Sequence, residues 1–302
     1  MRRAMIRAMP WVFVLIWSTG FVVARLAMPH APPLSFLTVR FALSALCFFA
    51  WIALARAAWP VGRVQWGHLA VTGALMQAGY LGGVWAAVKA GIGAGTVALL
   101  VGLQPVLTAL WVTATATRPG RGGAGVATRV SPQQWLGLLL GLAGLAFVVW
   151  PKMGTGEVTP ANLALAFIAL LGITIGTLYQ KRYVAPCDVR SASAVQMLAA
   201  LVISAPIAFF EPEAMDWHPN LVAAMAWSVG ILTLGGSSLL YLLIQRGEAT
   251  AVTSLLYLVP PCTALMAWLL FGESFTPLMT LGMALTVAGV AIVVRERSGA
   301  VA

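Results

Sequence analysis

The chain has 302 residues, 61% of them hydrophobic and 9% charged, with a formal net charge of +10. Soluble domains put about a quarter of their residues into charged side chains, so the composition excludes a soluble protein and leaves an integral membrane one. Its three cysteines (Cys47, Cys187 and Cys262) show no metal-type spacing, which excludes a disulfide framework and a zinc site.

A helix needs about 20 apolar residues to cross the hydrocarbon core, and ten such stretches can be drawn along the chain. The first, at about 10–28, follows Arg2, Arg3 and Arg7 in the manner of a signal peptide. It lacks a small-x-small cleavage site and is read as a retained span. The second, at about 35–55, carries Arg40, the one basic residue well inside a span. The third, at about 66–88, holds Gln77 and Tyr80 among glycines, with Trp85 near its end. Gln104, Pro105 and Thr108 fall in the fourth, at about 93–113. The fifth, at about 133–150, contains Gly137, Gly141 and Gly144, a spacing that suits close helix packing. The sixth and seventh lie at about 161–180 and 191–210. The eighth, at about 220–244, offers Thr233, Ser237 and Tyr241, and the ninth, at about 250–271, offers Tyr257 before Pro260. The tenth ends the apolar sequence at about 277–294. The alternating ten-residue strands of a membrane β-barrel are absent.

With the N-terminus in the cytoplasm, the inner segments hold 14 of the 18 basic residues, among them Arg56, Arg63, Arg118, Arg121, Lys181, Arg190 and Arg246. The outer side keeps Arg25, Lys89 and Lys152, together with Glu157, Glu211, Glu213, Asp216 and Glu273. This asymmetry predicts cytoplasmic termini. It also explains the positive charge as orientation of the helices, so no nucleic-acid partner is expected.

The two halves of the chain echo one another. LQPVLTAL at 103–110 lies over LVPPCTAL at 258–265, and GLLLGLAGLAFVV at 137–149 over GMALTVAGVAIVV at 282–294. Ser35, Val39 and Arg40 align with Ser191, Val195 and Gln196, and Trp85 with Tyr241, at an offset of 156. Residues 1–150 and 151–302 are therefore read as two five-helix repeats. Five is odd, so the second copy is inverted in the membrane, an arrangement that recurs in secondary transporters with the substrate near the midplane. The predicted fold is an all-α membrane protein of ten helices.

IWSTGFVVAR at 16–25, PLSFLTVRFALSAL at 33–46 and the stretch 260–294, from Pro260 through Glu273 to Gly289, resemble the EamA-type drug/metabolite transporter superfamily. The resemblance covers about 10–294. One departure is Arg118-Pro119, which stands where a glycine-glutamate pair would follow span four. The resemblance implies a ten-helix exporter of amino acids or other small metabolites, in a superfamily that also moves sugar phosphates, nucleotide sugars and cationic drugs.

Polar groups inside a membrane are expensive and tend to face a cavity or a partner. Substrate contact is expected among spans three, four, eight and nine, from Gln77, Tyr80, Gln104, Thr108, Ser237 and Tyr257. Arg40 either anchors a substrate carboxylate or caps and snorkels, and isolated Ser and Thr residues can bond back to their own helix. Pro105 and Pro260 each free a carbonyl one turn earlier, so both are expected to break their helices. Trp85 and Tyr241 are candidate gates at opposite ends of repeat-related helices, with interfacial anchoring as the alternative. No carboxylate falls within a span, which speaks against a cation exporter, a proton-coupling group and a metal-dependent membrane enzyme. His30, His68 and His218 lie near span ends. No ring of charges marks a channel filter. The reading is a bacterial inner-membrane carrier of small neutral or zwitterionic metabolites without cofactor or metal, passively driven, whose partners are its substrate and the lipid bilayer.

Overall fold

The computed structural model describes residues 2–116, 131–236, 239, 258–273 and 276–299. Two helices cross first: α1 (Arg2–Ala27) and α2 (Pro33–Ala55). Span three is composite, with α3 (Arg63–Gly73), a π-helical turn at Ala74–Gly79 and α4 (Tyr80–Lys89). Span four is broken into α5 (Ala94–Val101) and α6 (Gln104–Ala116). Then come α7 (Pro132–Gly154), α8 (Pro160–Tyr183), α9 (Val189–Ala208) and α10 (Pro219–Trp227), the last running into a second π-helical segment at Ser228–Gly236. The described chain closes with α11 (Val259–Phe271) and α12 (Pro277–Gly299).

Local chemistry sets the starts and stops. Proline occupies the first turn of α2, α7, α8, α10 and α11, where its missing N–H costs nothing. Ser131 with Gln134 and Thr159 with Asn162 form reciprocal capping boxes at α7 and α8. Gly272, at φ 65°, ends α11 in the left-handed region.

The ten spans form two inverted five-helix repeats. The strongest sign is the pair α7 and α12, the most extensively packed among the described elements. Gly137 and Gly144 have Gly282 and Gly289 as repeat mates. A Cβ on Gly289 would lie 2.5 Å from the Gly137 carbonyl oxygen, and one on Gly282 would lie 2.5 Å from that of Gly144. Each residue thus touches the mate of the other, the signature of a two-fold contact. The next most extensive pair, α2 with α9, is again repeat-related. The outer flank of α7 stays exposed through Trp135, Leu139 and Trp150, as suits a lipid-facing helix at the periphery.

Hydropathy did not reveal the two π segments. They fall in spans three and eight, and 74–79 displaced by 156 lands on 230–235, inside the second segment. Nor is span four merely bent at Pro105. Its α-helix stops at Val101, Gly102 and Leu103 form a turn, and Pro105 is the second residue of α6. Pro260 likewise lies in the first turn of α11. The two proline regions meet, since a Cβ on Gly102 would lie 2.9 Å from Pro260 Cγ and one on Gly95 would lie 3.1 Å from Ala264 Cβ.

Candidate functional site

A cavity of about 90 Å³ opens between the halves. Its walls are Trp17, Gly20 and Phe21 of α1, Arg40 of α2, and Met76, Gln77, Tyr80, Leu81, Val84 and Trp85 of span three. The second half supplies Ile173 of α8, Met197 of α9, and Leu232 and Thr233 of the second π segment. Three pairs in this lining are repeat mates at the offset of 156: Trp17 with Ile173, Met76 with Leu232, and Gln77 with Thr233. The cavity therefore straddles the pseudo-two-fold axis. Gln77 and Thr233 each sit on a π turn, a distortion frequent at functional sites because it displaces backbone and side chains from the regular ladder.

Arg40 is 6% exposed. Its Nη2 donates to Thr233 Oγ1 at 3.2 Å, while the Thr233 hydroxyl donates to the Ser228 carbonyl at 2.8 Å. The guanidinium carbon lies 6.0 Å from the centroid of the Trp85 ring, within cation–π range. Trp85 is 1% exposed and stacks on Phe36 with centroids 4.3 Å apart. It is an interior side chain, and interfacial anchoring does not describe it. Arg40 is equally remote from the snorkelling geometry considered for it, because its head faces the cavity.

The sequence-predicted residues divide. Arg40, Gln77, Tyr80 and Trp85 share the cavity wall. Gln104 and Thr108 are not in that wall; Gln104 Nε2 donates to Thr177 Oγ1 at 3.1 Å across the contact of α6 with α8. Ser237, Tyr241 and Tyr257 lie outside the described residues. Besides spans three and eight, spans one, two, six and seven contribute to the described wall; the described part of span four, with Gln104 and Thr108, does not. The reason is packing: the described parts of spans four and nine press on each other through Gly95, Gly102, Pro260 and Ala264. Thr233 was recoverable from the sequence as the mate of Gln77. Met76, Met197 and Trp17 carried no signal that separates a wall from a core. Among the described residues no group of His, Cys, Asp and Glu side chains could hold a metal ion.

The helix ends on the acidic face are tied together by charge. Glu211 accepts from Leu34 N at 2.9 Å, Ser35 N at 2.7 Å and Ser35 Oγ at 2.8 Å, at the start of α2. Glu157 and Glu273 accept from Gly93 N and Ala94 N at the start of α5, at 3.2 and 3.0 Å. Lys89 pairs with Glu213, and Lys152 pairs with Glu157 at 2.6 Å. On the basic face a neutral pair of bonds and the Arg190 guanidinium, 5.9 Å from the Trp51 ring centroid, join the halves in the described part. Gln65 Nε2 donates to Ala185 O at 2.8 Å and Ala185 N donates back to Gln65 Oε1 at 3.1 Å. Nearby, Arg190 bonds Asp188 and holds its carboxyl below the usual range, while burial pushes the Cys187 thiol up.

The chain matches the EamA-like transporter family over residues 8–119 and 161–295. It belongs to that family. Similar proteins include "Uncharacterized inner membrane transporter YedA" of Escherichia coli K12, 26% identical over 92% of this chain and 87% of that one. "Uncharacterized transporter YvbV" of Bacillus subtilis is 24% identical over 93% and 88%. The "Probable amino-acid metabolite efflux pump" of Salmonella typhimurium is 22% identical over 92% and 91%. A crystal structure of a protein 22% identical in sequence superposes with a TM-score of 0.63, covering 94% of this chain and 95% of that chain, and shares the fold. Family and relatives alike indicate a membrane transporter of small molecules, not an enzyme.

Proposed function

We propose that this protein is a bacterial inner-membrane secondary transporter that exports small neutral or zwitterionic metabolites, amino acids first among them. Substrate binds in the cavity between two inverted repeats, taken as residues 1–150 and 151–302, and reaches either side by alternating access. The observation that carries this reading is the cavity wall, in which three residues of one half face their own repeat mates in the other. A site on the pseudo-axis presents nearly the same backbone surroundings to both sides of the membrane, as an alternating-access carrier requires. The relatives named as an inner-membrane transporter and an amino-acid metabolite efflux pump support the location and the substrate class. The basic residues of loops 56–63 and 181–190 support cytoplasmic termini. The charge-linked acidic face favours a carrier over an open pore.

In this reading Trp85 and its mate Tyr241 are the two gates, and movement is passive down the substrate gradient. Proteoliposomes loaded with unlabelled L-leucine and diluted into labelled L-leucine test it. A transient overshoot of label is expected, reduced by Trp85→Ala and by Tyr241→Ala. Flux that stays linear in concentration without overshoot identifies a pore and defeats the reading. If both substitutions leave the overshoot intact at equal protein, the gates lie elsewhere. Accumulation that needs an imposed pH gradient overturns passive movement.

A further inference from the structure

The Arg40 side chain is more than nine-tenths buried and carries a full charge at a membrane depth where charge is costly. Its described surroundings hold no opposite charge against it. One guanidinium nitrogen is bonded to the Thr233 hydroxyl, and the Trp85 face adds a weak attraction. Among the described residues no carboxylate lies within ion-pair distance of Arg40. Glu157, Glu211, Glu213, Asp216 and Glu273 all act on the acidic face, and Asp188 is held by Arg190. A buried charge left without a partner is strongly destabilising. The head faces a cavity, so the partner can be supplied from outside the protein.

We infer that Arg40 is the carboxylate subsite of this cavity and that the recognised class is the small monocarboxylate with an apolar tail. The planar guanidinium matches a carboxylate with two parallel N–H donors, which a lysine would not. Gln77 and Tyr80 offer neutral hydrogen-bonding groups beside it, and Met76, Met197, Ile173 and Leu232 supply an apolar wall for the tail. A substrate ammonium finds no anionic group among the described lining residues. An amino acid is therefore held by its carboxylate, and the ammonium is tolerated instead of required. The repeat mate of Arg40 is neutral Gln196, whose backbone is packed against Gly73. Only one end of the substrate is thus read by charge, and the substrate has one orientation. This inference refines the transporter reading and rests on it for its biological sense.

The test uses four near-isosteric probes on the purified full chain: 4-methylpentanoate, L-leucine, 4-methylpentanamide and 3-methylbutylamine. Ligand-induced stabilisation is followed as a rise in Tm. The two carboxylates are expected to raise Tm, and the amide and amine to leave it unchanged at the same concentration. Arg40→Gln should raise the half-maximal carboxylate concentration at least tenfold, with Arg40→Lys in between. The comparison of probes on the unaltered protein needs no variant, so poor folding of either substitution leaves the test intact. An amide or amine as effective as the acid, a well-folded Arg40→Gln with unchanged response, or silence of all four probes overturns the subsite. Counterflow separates the two readings. Carboxylates that bind without exchanging remove the transporter function and keep the subsite; exchange confined to solutes without a carboxylate does the reverse.

Discussion

Glu211→Gln is the substitution that most directly weakens the closure of the acidic face. The Glu211 carboxylate takes Leu34 N on one oxygen and both Ser35 donors on the other. Glutamine keeps the shape but turns an NH₂ toward one of these partners, leaving the Leu34 N–H facing a donor if the Ser35 bonds are kept. Bonds to a charged group are worth about 1.5–3 kcal/mol and neutral ones about 0.5–1.5. The loss of charge at a helix N-terminus adds a few tenths more. Because the site is only part-buried, about 2 kcal/mol is a fair expectation, or on the order of thirtyfold in population. A state in which this face has opened leaves Glu211 in water and is little affected. Labelling by an impermeant maleimide at Leu34→Cys, with Cys47, Cys187 and Cys262 changed to alanine, reads the opening. Labelling in the Glu211→Gln background should be faster by roughly that factor. Rates within twofold of each other would refute the claim that Glu211 holds the face shut.

Two further predictions concern topology and packing. A cysteine at Glu213 should label only from outside and native Cys187 only from the cytoplasm, the latter slowly at neutral pH because burial raises its thiol pKa; labelling of both from one side would reverse the inverted arrangement. Lys152 is a poor probe position, being 6% exposed and paired with Glu157. Gly289→Leu should lower Tm sharply, because its Cβ would meet the Gly137 carbonyl oxygen at 2.5 Å and backbone cannot yield as a side chain can. An unchanged Tm would show that α7 and α12 do not cross there.

What the sequence disclosed depended on which physical signal each feature leaves. Ten spans were readable because apolar length is a composition property, and the inverted repeat because two aligned segments kept the same glycines. Gly137, Gly144, Gly282 and Gly289 now explain that retention, since each lies where two backbones touch. The π turns were invisible. ALMQAG at 74–79 has Gln77 as its one polar residue, so a local change from i→i−4 to i→i−5 bonding leaves no mark in the hydropathy pattern. That Gln104 stands outside the described wall has a related reason. Polar residues in a span signal the need for a partner but not which partner. Gln104 satisfies that need with Thr177, and Thr263 with the Ser18 carbonyl at 3.1 Å. The mates Ser18 and Thr174 each bond back to their own helix, at 2.7 Å, as an isolated Ser or Thr in a span is able to do.

An inverted repeat by itself makes the two sides of the membrane equivalent, so any preference for one closed face must come from residues that break the symmetry. Ser35 and Ser191 are mates, and each reaches the loop beyond the other half's second helix. Ser35 bonds the Glu211 carboxylate, whereas the Ser191 hydroxyl bonds backbone carbonyls, those of Ala58 and Asp188, each at 2.9 Å. The Ser35 contact is thus charge-assisted and the Ser191 contact neutral, a difference of about 1 kcal/mol per bond. The second asymmetry is Arg40 against Gln196, and it lies on the same element as the first. Glu211 pins residues 34 and 35 of α2, and Arg40 faces the cavity about 8 Å further along at 1.5 Å per residue. The carboxylate that closes the face and the carboxylate proposed to fill the cavity therefore pull on one rigid helix. Occupancy of Arg40 and rupture at Glu211 are then coupled through α2, and 4-methylpentanoate should alter the labelling rate at Leu34→Cys only while Arg40 is present.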